Sequence, residues 1–236
     1  MSAGRHRRRT VQVAVVSLFA LVALAPALSS GAPATLRYST GEFVVNCTGS
    51  GQLCDPPFRQ TVKVPSGGRV TAVRYTPSQG HCSPIRIHVL LNGTQIGITG
   101  FVEPSETSEL ALLSDPIRKG RAVLGYRAEG RTGGCNVGQL GSWGGRVVTT
   151  VTLPETRIGS HPKGKTHRRT ARFTFSGNGS GSKFECRLDH GKFRRCASPK
   201  AYAGLAVGRH VFRVRFIDRA GNRDATPAIF RWRILP

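Results

Sequence analysis

The chain has 236 residues, with 35 Lys and Arg against 12 Asp and Glu and a formal net charge of +23. That length suits two small domains better than one. A single apolar run of near-spanning length argues against a multi-span membrane protein, and six cysteines without a C-x-x-C pair argue against a zinc module.

The run opens the chain. Arg5, Arg7, Arg8 and Arg9 precede an apolar stretch from Val11 to Leu28, and Ala32-Pro33-Ala34 then offers small residues for a signal peptidase. This pattern predicts a secretory leader over residues 1–34. The alternative is an uncleaved anchor, the one case in which a membrane would be a partner, but the run is short for a span and contains Pro26. All six cysteines follow the leader, and an even count there reads as disulfides. Cys186 and Cys196 flank a hairpin turn. Cys47 and Cys54 close a short loop, which leaves Cys82 for Cys135, although the first four cysteines allow three connectivities.

Residues 35–154 predict strands. Alternating or β-branched runs at 43–45, 61–64, 69–75, 85–91, 95–98, 122–127 and 146–153 are separated by glycine-rich turns, which points to a jelly-roll-like β-sandwich. Asn92-Gly93 marks the clearest hairpin. Residues 106–113 fit a helix or a strand. Glu103, Glu106 and Glu109 read as a solvated acidic stretch rather than a calcium or catalytic set, since a glycosidase needs two carboxylates converging across a cleft. His81 and His88 stand at no regular metal spacing, so neither metal nor cofactor is expected. Trp143, within Gly141-Ser142-Trp143-Gly144-Gly145, is a candidate to stack on a sugar ring; its other reading is a cap on the sandwich core.

Residues 155–170 carry Pro162, Gly159, Gly164 and a basic run from Lys163 to Arg169 with no apolar period, and read as a basic linker. Charge divides unevenly about this point. Residues 35–154 hold 12 basic and 7 acidic residues, net +5, whereas residues 155–236 hold 19 and 5, net +14. An excess of that size favours polyanionic partners and opposes self-association.

Residues 171–236 alternate with period two. Phe184, Cys186 and Leu188, then Phe212, Val214 and Phe216, then Phe230, Trp232 and Ile234 predict one face in a core. The residues between them are largely Arg. Pairing of the last two long strands would place Arg213, Arg215, Arg231 and Arg233 on one exposed face, with Arg187, Arg194 and Arg195 extending it. Bidentate, charge-assisted contacts from such a face suit phosphate, sulfate or carboxylate polymers.

The string F-E-C-R-L-D-x-G-x-F (Phe184 to Phe193), with Cys196, Ser198-Pro199, Tyr202, Leu205, Gly208-x-His210-x-Phe212-x-Val214-Arg215, Asp218-x-Ala220-Gly221-Asn222 and Thr226-Pro227-Ala228, resembles the Ig-like module appended, often in tandem, to bacterial secreted and surface proteins. The resemblance covers roughly residues 154–236. It implies an Ig-like β-sandwich and a spacer or adhesion role without catalytic residues. The outward arginines go beyond what that pattern demands.

The expectation is therefore an all-β exported protein: leader 1–34, jelly-roll-like sandwich 35–154, basic linker 155–170, Ig-like domain 171–236. It would be a non-catalytic binding or adhesion protein of the bacterial envelope or extracellular space. Its expected partner is an anionic envelope polymer or polysaccharide. No recognition helix or RNA-binding motif points to specific nucleic acid. Two alternatives stay open: a small secreted hydrolase or lyase with its site in the first sandwich, and a structural link in a surface assembly.

Overall fold

Alternation of β-branched and aromatic residues with period two favours strands along most of the chain, and in the computed structural model the protein is all-β. The structure describes residues 34–47, 53–104, 106–131, 141–179 and 183–236. The expected leader, save Ala34, lies outside the described residues, as does Cys135.

In chain order the first half forms β1 (Thr35–Ser39), β2 (Phe43–Asn46), β3 (Phe58–Val64), β4 (Arg69–Pro77), β5 (Ile85–Leu91), β6 (Thr94–Ile98), β7 (Ser108–Ala111), β8 (Gly120–Gly130) and β9 (Ser142–Thr152). β1 and β2 lie along one edge of β9, which is followed by β4 and β7; the other sheet runs β3-β8-β5-β6. From β2 to β9 these two orders interleave in the jelly-roll manner, as the sequence led us to expect. Tyr75, Trp143 and Val147 of the first sheet and Ile85, Ile87, Leu124 and Tyr126 of the second share one core. Asn92 and Gly93 take φ of 51° and 88°, the positive pair that a tight hairpin turn needs. Within 106–113 the centre, Ser108–Ala111, is strand: β7 pairs with β4, and Glu109 meets Arg74 at 3.0 Å.

The second half forms β10 (Thr156–Ile158), β11 (Lys165–Thr166), β12 (Ala171–Phe173), β13 (Phe175–Gly177), β14 (Lys183–Leu188), β15 (Arg194–Cys196), β16 (Lys200–Tyr202), β17 (Gly208–Ile217) and β18 (Ala228–Ile234). Its main sheet has the order β11-β18-β17-β14-β15, with β10 on β13 and β12 on β16 as smaller pairs. The stretch 155–170, expected as linker, thus supplies β10 and β11, and β11 runs parallel to β18. Pieces of two and three residues are too short to show an apolar period. Phe173, Phe212, Val214, Trp232 and Ile234 form a second core, with Phe173 stacked on Phe212 at 4.0 Å.

Cys47–Cys54 and Cys186–Cys196 are disulfides with Cα separations of 4.9 and 5.8 Å, bonds that persist in oxidising compartments. Cys82 is also disulfide-bonded; its expected partner, Cys135, falls outside the described residues. Among the described residues no helix is long and apolar enough to cross a membrane.

Side chains tie the two halves: Asn178 donates through Nδ2 to the Leu153 carbonyl at 2.7 Å, and Asn222 makes three further bonds. Asn222 is buried and donates through Nδ2 to the Ile117 carbonyl (2.7 Å) and to Asp218 (2.8 Å), while its Oδ1 accepts from the Lys119 N–H at 2.9 Å. The Asn222 amide sits so close to Gly67 that a Cβ there would fall 2.1 Å from it. Glycine is therefore required at position 67.

Candidate anion-binding face

The face is built by register. In β17 Phe212, Val214 and Phe216 are buried, which turns Arg209, Val211, Arg213 and Arg215 outward. Directly opposed residues share a face. β18 sets Arg233 against Arg209 and Arg231 against Val211; β14 sets Arg187 against Arg213 and Glu185 against Arg215; β11 sets Lys165 against Arg233. Lys165, Arg233 and Arg209 therefore form one row across three strands, spanning about 10 Å at the usual strand spacing. Opposed like charges cost stability, and Arg209/Arg233 and Arg187/Arg213 are two such pairs.

One end of the face is compensated. Glu185 accepts from Arg215 at 2.7 Å and meets Arg223 at 3.4 Å, and the guanidinium groups of Arg215 and Arg187 lie over the Phe193 ring at 4.3 and 5.0 Å. Burial raises the Glu185 carboxyl, but the hydrogen bonds from Arg215 and Arg223 outweigh it and hold the group below the usual carboxylate range. Two of the sequence candidates are corrected here. Arg215 lies on the face as expected, yet is committed to Glu185. Arg194 opposes the buried Cys186, which puts it on the core-facing side of edge strand β15; Arg195, opposed to Glu185, is on the outer face instead.

The remaining cations lack acids to meet. Residues 155–236 contain five carboxylates, and all five are engaged: Glu155 with Arg157, Glu185 with Arg215 and Arg223, Asp189 with His210, Asp218 with Asn222, and Asp224 with Thr156 and Thr226. Among the described residues no ion pair involves Arg187, Arg209, Arg213, Arg231 or Arg233. Two adjoining depressions open between them. One, of 430 Å³, is lined by Arg187, Asp189, Arg209, Val211 and Arg213; the other, of 510 Å³, by Lys165, Arg209, Val211, Arg231 and Arg233.

His210 lies beneath this surface. Its Nδ1 meets Asp189 and its Nε2 the Ala206 carbonyl, both at 2.9 Å. Both partners are acceptors, so the ring donates twice only as imidazolium. Burial lowers the His210 pKa, but these two hydrogen bonds and the Asp189 charge outweigh it and raise it overall. Asp189 also accepts from the Val211 N–H at 2.7 Å, which links the imidazolium to the floor of the face.

Trp143 is not at a surface. It is buried in the first core, edge-on to Phe43 at 4.9 Å and to Tyr75 at 6.3 Å. The flanking glycines are places of close strand approach rather than a ring-presenting loop. A Cβ at Gly144 would lie 2.6 Å from the Phe43 carbonyl oxygen, and one at Gly145 2.2 Å from that of Thr76. Glycine there lets β9 press against its neighbours, and Trp143 turns inward opposite Val45.

The sequence did not single out a polar cluster on the second sheet. Arg86 grips Glu129 through two contacts of 2.7 Å, and His88 bridges Glu129 and Gln95, also at 2.7 Å each. Arg86 and His88 alternate on β5 opposite Glu129 and Arg127 on β8, a meeting visible only once the register is known. The hydrogen bond from Arg86, helped by His88, keeps Glu129 below the usual carboxylate range against the effect of burial. An ionised carboxylate so gripped is suited to structure, not to proton donation. His81 points elsewhere, accepting the Gly144 N–H at 2.9 Å.

No protein family model matches the chain, and no curated protein is similar to it. Several solved structures share stretches of it. The adhesin domain of Epf from Streptococcus pyogenes is 9% identical, with 86% of this chain and 77% of that one covered and a TM-score of 0.32. A GH2 beta-galacturonidase from Eisenbergiella tayi is 13% identical, with 86% and 43% covered and a TM-score of 0.33. For the Faecalibacterium prausnitzii beta-glucuronidase the figures are 10%, 75%, 36% and 0.25, so this chain spans about a third of that enzyme's length.

Proposed function

We propose that this is an exported, non-catalytic binding protein of the bacterial envelope or extracellular space, and that it holds an anionic polymer on the outer face of the β11-β18-β17-β14-β15 sheet. One observation carries the reading: Arg187 and Arg213, like Arg209 and Arg233, stand directly opposed without an ion pair, and the one acid lining the depression beside them, Asp189, is taken up by His210 and the Val211 N–H. An incoming phosphate, sulfate or carboxylate would relieve that repulsion while accepting bidentate contacts. The leader pattern, the disulfides and the Ig-like resemblance support export and an adhesive or spacer role. Recognition by charge and strand register, without an enclosed cavity, suits a repeating polymer better than a small molecule.

The test is retention of the oxidised protein on an immobilised sulfated or phosphorylated polymer across a salt series. Replacing Arg209, Arg213, Arg231 and Arg233 together with Ser is expected to abolish retention at salt concentrations that hold the wild type, with the thermal midpoint preserved. Wild-type retention unchanged by the fourfold replacement would refute the assignment.

A further inference from the structure

A third depression, of 610 Å³, lies beyond the edge strand β11 and is lined by the stretch first read as linker. Lys163, Lys165, His167 and Arg168 come from that stretch and Arg172 from β12; the lining contains no acidic residue. Ala171 and Phe173 are buried, so Arg172 faces out from the small β12-β16 pair rather than from the main sheet. Lys165 lines this depression and also the one formed by Arg209, Arg231 and Arg233. It is exposed on a two-residue strand at the edge of the main sheet, opposite Arg233.

Resting on the reading above, we propose that Lys165 joins the two depressions into one basic track that turns around the sheet edge, and that the partner is a flexible linear polyanion long enough to occupy both. Arg209, Arg231 and Arg233 belong to the main sheet, whereas Arg172 belongs to the β12-β16 pair and Lys163 and Arg168 to the segments flanking β11. A stiff anionic rod lying on the main face would not follow that turn; double-stranded DNA, with a persistence length of about 50 nm, is such a rod. A flexible chain engaging both depressions gains from the second contact being intramolecular.

Three ligands separate the possibilities: tripolyphosphate, long-chain polyphosphate and a short DNA duplex, each titrated against the oxidised protein at fixed salt. The wild type is expected to bind long-chain polyphosphate about 100-fold more tightly than tripolyphosphate. K163S/R168S/R172S should remove most of that length gain and leave duplex binding unchanged, whereas R209S/R231S/R233S should weaken both polymers. Arg169 is left in place because its Nε donates to the Leu205 carbonyl at 2.7 Å; far-UV circular dichroism checks that each variant is folded. A length gain that survives K163S/R168S/R172S would overturn the track, as would duplex binding that falls with these residues as steeply as polyphosphate binding does. Absence of wild-type binding to any of the three would instead overturn the binding function itself.

Discussion

His210 shows how much one buried residue controls beneath the basic face. Its imidazolium spans Asp189 and the Ala206 carbonyl, and Asp189 in turn holds the Val211 N–H. The folded state raises its pKa above the ordinary 6.5, so folding favours the charged ring. The resulting stabilisation is complete below that ordinary value and is lost as pH rises through the raised one. The thermal midpoint should therefore fall as the solution is taken from mildly acidic to mildly alkaline, and His210→Gln should flatten that part of the profile. A wild-type midpoint that rises over the same interval would contradict the doubly donating ring. Trp143 carries the opposite lesson. Its glycine-rich surroundings suggested exposure, but at Gly144 and Gly145 carbonyl groups of neighbouring strands approach too closely for any Cβ.

At the scale of the element, β17 decides which arginines are free. Its parity could be read from the sequence, because Phe212, Val214 and Phe216 alternate with Arg213 and Arg215 over a long strand. The hairpin at Asn92-Gly93 was legible for a similar reason, since that dipeptide has a local conformational cause. Register was not legible: nothing local says that Glu185 meets Arg215, that Arg187 meets Arg213, or that Arg195 rather than Arg194 shares their face. The strands β10 and β11 were missed because two or three residues carry no period. Glu185 is where the register has the most testable effect. Glu185→Gln removes the acid that holds Arg215 and Arg223, leaving two more guanidinium groups uncompensated. Elution from an anionic polymer should move to higher salt even as the variant loses stability, on the order of 1 kcal/mol for a partly buried, hydrogen-bonded pair. Elution at lower salt would show that Glu185 organises the face rather than restraining it.

For the whole molecule, Asn222 is the residue whose loss should spread furthest. Its amide satisfies Ile117 and Lys119 near the first core and Asp218 beside the second. Asn222→Ala strips the Lys119 N–H and one Asp218 oxygen of their partner, while the Ile117 carbonyl keeps the Gly68 N–H and Asp218 keeps the backbone N–H of residue 222, and a loss of roughly 1–3 kcal/mol is expected in denaturant unfolding. A change below about 0.5 kcal/mol would mean that water or a relaxed loop replaces the amide. The commitment of all five carboxylates in residues 155–236 has a consequence of another kind. Arginine keeps its charge at any pH a folded protein survives, so the cationic side of a face made almost wholly of arginine stays charged when its surroundings acidify or turn alkaline. A polymer held there as proposed would be fastened without a latch, leaving only when brine or a rival polymer displaces it.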